Sequence, residues 1–221
     1  MFHLIEEAAS SDAEIKELFV TQRGMKEWGD WLAANKGIST FLVSDEVMTA
    51  MSDLPTPQGI LAVMTLTSKD TPDFSGGWLL LDNVQDPGNV GTMIRTADAF
   101  GMAGVLLGKG TADIYSTKVL RSMQGSNYHL PVLQKDLADV IPVMKGKGFT
   151  VYGTELNEEA HALDKVEKTE DFAIIMGNEG QGVSQEILSL TDQNVYIPMK
   201  GNAESLNVGV AAGIVLYHFS L

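Results

Sequence analysis

Five short apolar runs, at 78–82, 103–107, 149–153, 172–176 and 194–197, alternate with helical patterns at 89–100, 135–146, 184–190 and 205–218. Strands that alternate with helices are joined by crossover connections, which makes the sheet parallel and covers both its faces with helices. Residues 77–221 are therefore expected to form an α/β fold. Residues 65–77, TLTSKDTPDFSGG, are polar and rich in Thr, Ser, Pro and Gly, the composition of a linker. Before them lie helical patterns at 2–9 and 12–18 and strands at 40–43 and 59–64, a second and smaller α/β unit. The expected division is a unit at 1–67, a linker at 68–76 and a larger domain at 77–221.

In a parallel sheet, ligands bind beyond the carboxyl ends of the strands, where strand-to-helix turns present free backbone N–H groups. Three such turns are polar and Gly-rich: NVQDPGNVGTMIRTADAFG at 83–101, IIMGNEGQGVS at 174–184 and VYIPMKGNAESLNVGVAAGIVLYH at 195–218. They carry Asn89, Arg95, Glu179, Ser205 and Asn207, which are expected to form one site. Each also has an ordinary structural reading. Asn89 and Ser205 suit helix N-caps. Arg95, on a largely apolar helix, suits a buried ion pair with Asp82, Asp86 or Asp98. Glu179 suits a cap for free N–H groups and would repel a phosphate there. A cationic ligand, or a ribose presenting hydroxyl donors, fits its loop better.

Several other chemistries are excluded. The glycines of 177–182 are spaced GxxGxG rather than GxGxxG, so the dinucleotide fingerprint fails, and with it a nicotinamide dehydrogenase. GVLLGKG at 104–110 has neither the spacing nor the Ser/Thr of a phosphate-binding P-loop, and no GxSxG elbow occurs. Cysteine is absent and the histidines at 3, 129, 161 and 218 show no ligand spacing, so no metal site is expected. The N-terminus lacks the basic and apolar regions of a secretory signal. The apolar stretch 208–217 falls short of the ~20 residues a membrane span needs, so a cytoplasmic protein is expected. A net charge of −14 argues against tight nonspecific binding to nucleic acid, which phosphate neutralisation drives. Any RNA contact is expected in a confined basic cleft of Arg95, Lys118, Arg121 and Lys200. Helix 205–218 is small and apolar, with Gly209 and Gly213 on one face, and suits close packing on another helix within the domain or across a dimer.

In order and content the three turns resemble the motifs of the SpoU (TrmH) family of RNA ribose 2′-O-methyltransferases, within the SPOUT superfamily. Asn89 and Arg95 match N-x5-R. Gly177, Glu179, Gly180 and Gly182 match GxEGxG. Ile197, Pro198, Met199, Ser205, Leu206 and Asn207 match IPM…SLN. RSMQGSNYHLPV, at 121–132, resembles the intermediate segment, with Met123 where Ser is common. Residues 1–67 resemble the family's RNA substrate-binding domain through His3–Ala8 and Pro57–Ile60, without its usual basic lead-in helix and first strand.

The resemblance implies a C-terminal trefoil knot, an exception to the rule of unknotted chains. It implies S-adenosylmethionine (SAM) held in the knot and a homodimer that shares residues across each site. The expected activity is methylation of a ribose 2′-hydroxyl in RNA, with ribosomal RNA favoured over transfer RNA. A noncatalytic RNA-binding dimer of the same fold is the alternative. By resemblance, Arg95 activates the hydroxyl, as a base or through a neighbouring phosphate. Asn89 and Glu179 orient Arg95 and the ribose, and Ser205 and Asn207 orient the loops and the hydroxyl. Backbone groups near Thr154, Gly177, Ile197, Met199 and Leu206 hold the adenosine part of SAM.

Overall fold

The computed structural model describes residues 2–65 and 73–221, and the chain divides into two units, Met1–Ser68 and Lys69–Leu221. The linker expected at 68–76 lies mostly outside the described residues. Its described end belongs to the second unit, where Phe74 meets Trp78 edge-on with ring centroids 5.0 Å apart.

In the first unit, α1 (Phe2–Ala9) is followed by β1 (Ile15–Val20), α2 (Gln22–Glu27), α3 (Gly29–Ala34), β2 (Ser39–Leu42), α4 (Asp45–Met51) and β3 (Ile60–Met64). The helix expected at 12–18 is not formed. Ile15–Val20 is the central strand of a three-stranded sheet, parallel to β2 and antiparallel to β3. Ile15, Leu18 and Phe19, at i, i+3 and i+4, give the segment a helical look, but burial alternates along Leu18, Phe19 and Val20. Leu18 and Val20 are fully buried in a core with Phe2, Ile5 and Ile60. Burial on one face of a sheet overrides local helix propensity.

The second unit contains β4 (Gly77–Leu81), α5 (Pro87–Ala99), β5 (Gly104–Leu107), α6 (Thr117–Met123), β6 (Val132–Gln134), α7 (Leu137–Gly146), β7 (Thr150–Thr154) and β8 (His161–Ala162). It ends with β9 (Phe172–Met176), α8 (Gln185–Leu188), β10 (Gln193–Tyr196) and α9 (Val208–Ser220). Its seven strands are all parallel, in the order β6-β5-β4-β9-β7-β10-β8. Every residue of β4 and β9 is buried, because separate cores cover the two faces. One includes Leu79, Met93, Ile174 and Leu216, the other Trp78, Leu80, Ile141 and Ile175.

The strand order positions the site. From β4 the chain runs outward to β5 and β6, then crosses to β7 on the far side of β9. A reversal of this kind opens a crevice at the carboxyl ends of the strands beside it. The turns after β4, β9 and β10 all emerge at that edge. Among the described residues, no helix is long and apolar enough to cross a membrane.

Candidate active site

The three turns are tied together by side chains. Asp86 is the N-cap of α5: its Oδ1 accepts from the Asn89 backbone N–H at 3.0 Å, and Pro87 opens the helix. Asn89 therefore lies inside the first turn, not at the cap, and its amide is available for bonds between turns. Its Nδ2 donates to Glu179 Oε1 at 3.0 Å, and its Oδ1 accepts from Asn207 Nδ2 at 3.1 Å. Asn207 Oδ1 in turn caps α9, accepting from the Gly209 and Val210 N–H groups at 2.9 and 3.3 Å. The last helix thus starts at Val208. Ser205 is not its cap, because the chain from Gly201 through Asn207 is still exposed loop.

Glu179 also accepts from the backbone N–H groups of Gln85 at 3.2 Å and Asp86 at 3.0 Å. Burial pushes its carboxyl group up, but the bonds from Asn89, Asp86 and Gln85 outweigh that, and the group titrates below its ordinary value. A carboxylate so engaged is a weak base and a good clamp. Its loop is rigid. Asn178 Oδ1 accepts from the N–H groups of Gly180 and Gln181, and Asn178 Nδ2 donates to the Asn83 carbonyl at 2.9 Å. Asp82, itself buried, accepts from the Ser184 N–H at 2.8 Å. A side chain at Gly177 would run into the backbone of Gly182 and Val183, so only glycine permits this fold-back.

Arg95 is exposed, and the buried ion pair that is its alternative reading is not made. All three candidate partners are engaged elsewhere. Asp82 holds Ser184, Asp86 Oδ2 holds Lys118 Nζ at 2.8 Å, and Asp98 Oδ2 lies 2.8 Å from His129 Nδ1. The Lys118 ammonium is the main cause of a depressed Asp86 pKa. Arg121 and Lys200 are exposed too, but Lys118 stands in the Asp86 pair and is not a free cation.

Beside these residues a cleft of about 270 Å³ opens between the carboxyl ends of β7, β9 and β10 and the start of α9. Thr154, Gly177, Ile197, Met199 and Leu206 all line it, as does Ser205. Thr154 Oγ1 donates to the Ile175 carbonyl at 2.7 Å, fixing one wall to the next strand. Val208, Ala211 and Val215 of α9 supply an apolar side. An apolar slot edged by loop backbone and a few polar groups suits a nucleoside. Sequence reasoning missed Asp82 and Asn178, which brace the loop, and the acidic residues Glu155 and Glu204 in the cleft wall. Asp82 and Asn178 reach Ser184 and Asn83, which lie 102 and 95 residues off in the chain, so no local pattern marks their role. Among the described residues no cluster could hold a metal ion.

A parallel α/β crevice with an amide–carboxylate clamp at its mouth suits an enzyme with a nucleoside ligand, and the family to which the chain belongs is one of SAM-dependent methyltransferases. The chain belongs to the SpoU rRNA methylase family, whose model matches residues 78–217; a model for RNA 2′-O ribose methyltransferase substrate binding matches residues 2–68. The 23S rRNA (guanosine(2553)-2′-O)-methyltransferase RlmP of Bacillus subtilis is 44% identical over 98% of this chain and 85% of its own length. Among solved structures, the SpoU methyltransferase AviRb from Streptomyces viridochromogenes in complex with AdoMet superposes with a TM-score of 0.86. It is 26% identical over 99% of this chain and 86% of its own. The AdoMet-bound rRNA methyltransferase from Sinorhizobium meliloti gives a TM-score of 0.83 at 27% identity, over 99% of this chain and 84% of its own.

Proposed function

We propose that the protein transfers the methyl group of SAM to a ribose 2′-hydroxyl in ribosomal RNA, with the residues of the clamp as its active site. The observation that carries this reading is the continuous hydrogen-bonded path Glu179–Asn89–Asn207 at the mouth of the cleft. SAM supplies an electrophilic methyl group on a sulfonium. The cleft fits its adenosine part. Val208, Ala211 and Val215 offer an apolar face, and the backbone near Thr154, Gly177, Ile197, Met199 and Leu206 offers polar edges.

In the transfer the ribose oxygen forms a bond to the methyl carbon as the sulfur–carbon bond breaks, and the hydroxyl proton leaves. Arg95 keeps its own proton at neutral pH, so its part is to hold a phosphate beside the target ribose and turn the hydroxyl toward the cleft. The proton leaves through that phosphate or water. Glu179 is an orienting group rather than the base, because its carboxylate already accepts three hydrogen bonds. Asn207 fixes Asn89 and the start of α9, and Ser205 contributes to the cleft wall.

A homodimer belongs to the same reading, as does the C-terminal trefoil knot. Helix α9 is buried on one side by Ala212, Val215, Leu216 and Phe219, yet Val210, Ile214 and Tyr217 are exposed on the other. A second copy covering that stripe would remove it from water. Purified protein should place label from methyl-labelled SAM on 23S rRNA lacking the modification, at one ribose found by alkaline-resistance mapping. Incorporation into transfer RNA alone would overturn the ribosomal target, and no incorporation into any RNA would overturn the activity.

A further inference from the structure

The cleft is lined by two carboxylates, those of Glu155 and Glu204, and by no lysine, arginine or histidine. Glu155 is partly buried at the end of β7, where its backbone N–H donates to the Val195 carbonyl at 3.2 Å and its Oε2 accepts from Asn157 Nδ2 at 3.0 Å. Glu204 stands on the exposed loop before α9. Neither takes part in the clamp at Glu179, Asn89 and Asn207. Lys200, next in the chain to Met199, is exposed and is not among the residues that line the cleft.

A slot with negative walls and no positive ones discriminates between ligands of equal shape and different charge. The methyl donor carries a sulfonium and an ammonium against one carboxylate, a net single positive charge. After transfer the sulfur is a neutral thioether, and S-adenosylhomocysteine has no net charge. We infer that Glu155 and Glu204 are specificity-determining residues that read the charge of the methyl donor, holding SAM in preference to the demethylated product. This rests on the placement of SAM in the cleft proposed above. The same field aids turnover: transfer removes the positive charge, and the ligand's attraction to the two carboxylates falls with it. Partly exposed charges a few ångströms apart interact modestly and are screened by salt, so the effect is selectivity rather than the bulk of the affinity.

The test is calorimetric titration of the full chain with SAM, S-adenosylhomocysteine and sinefungin, whose amine keeps a positive charge where the sulfonium stands. Wild type is compared with Glu155→Gln, Glu204→Gln and the double variant, at low and high salt. The double variant should lose about three- to tenfold of its preference for SAM over S-adenosylhomocysteine. Sinefungin should follow SAM, the neutral ligand should bind within about twofold of wild type, and high salt should shrink the difference. An unchanged SAM preference, or equal weakening of charged and neutral ligands, would overturn the inference. Ala211→Trp, checked for folding by circular dichroism, fills the cleft. If it still binds SAM, the placement itself is wrong. If it abolishes binding while the glutamine variants leave the ratio untouched, only the charge reading fails.

Discussion

Asn207 and Asn89 share one hydrogen bond, Nδ2 to Oδ1 at 3.1 Å, and through it the cap of the last helix is coupled to the first turn of α5. The two side-chain amides are oriented in series. Glu179 fixes the direction of the Asn89 amide, and Asn89 fixes that of Asn207. Loss of any member should release the others.

Asn207→Ala should therefore act twice. Removing the cap of α9 should cost about 1 kcal/mol of stability, and removing the donor to Asn89 should lower kcat by about 100-fold or more. Asn207→Asp separates the effects, since it keeps the capping oxygen but sets a second oxygen against Asn89 Oδ1. It should melt near wild type and still be nearly inactive. Turnover by Asn207→Asp at the wild-type rate would show that the amide coupling is unimportant.

Arg95→Ala should change stability by less than about 0.5 kcal/mol, the usual range for an exposed side chain without a structural partner. Its activity should fall about 100-fold or more. Arg95→Lys should recover little, because an ammonium lacks the planar fork that grips phosphate. Methyl transfer and thermal melting on the same preparations check both statements.

Glu179→Gln should lower kcat without altering the form of the pH–rate profile between about pH 6 and 9, since the carboxylate is ionised throughout that range. Loss of an ascending limb in the variant would make Glu179 the base. Stability should follow the opposite edge of the scale. The folded-state pKa of Glu179 is depressed, so its contribution is full above the ordinary glutamate value of about 4.3 and is lost as pH falls through the folded value. Melting temperatures of wild type and variant should differ by a constant amount above about pH 5 and converge in more acid solution.

Ile214→Glu, in the middle of the exposed stripe of α9, should shift sedimentation from dimer to monomer and reduce activity with it. Gly209 and Gly213 do not lie on that stripe. Carbons added there would approach Thr92 and Thr96 of α5 in the same chain at 3.5 and 3.9 Å. Gly213→Ala should accordingly leave the oligomeric state alone, while a bulky residue at 213 should disturb the packing of α9 on α5. A variant Ile214→Glu that remains a fully active dimer would move the interface elsewhere.

RNA binding by the isolated chain should be weak and only shallowly dependent on salt. Arg95, Arg121 and Lys200 are exposed, whereas the charge of Lys118 is partly offset by its pair with Asp86. Each neutralised phosphate steepens log K against log salt by ~0.7–0.9. Filter binding across a salt series should give a slope shallower than about −4, and one steeper than about −6 would require many more contacts than these residues offer.

Much of the second unit was legible because its strands are buried on both faces and read as unbroken apolar runs: Trp78–Leu81 and Phe172–Met176 could hardly be anything else. The first unit was harder. Ile15–Val20 is buried on one face only, and the spacing of Ile15, Leu18 and Phe19 mimics a helix. The short helices α2, α3, α4 and α6 carry too few residues for a period to emerge. At the site, the residue types were readable but their roles were not. Asn89 and Ser205 were each compatible with a cap or with chemistry, and the caps proved to be Asp86 and Asn207. Asp82, 102 residues from the Ser184 N–H it accepts, belongs to a bracing that exists only once the sheet has formed.

The pairing of β4 with β9, Leu79 against Ile174 at its centre, has a consequence for the protein's synthesis. The crevice lies between strands that are distant in the chain, and its apolar side comes from α9, the last element. On the proposed placement of the methyl donor, a chain still emerging from the ribosome has an incomplete crevice until α9 is free, since Val208, Ala211 and Val215 form one of its sides. Such long-range closure is slow compared with local helix formation. Ligand binding then accompanies completion of the whole unit, and a nicked or stalled chain lacking α9 should be blind to the ligand rather than a weaker binder of it.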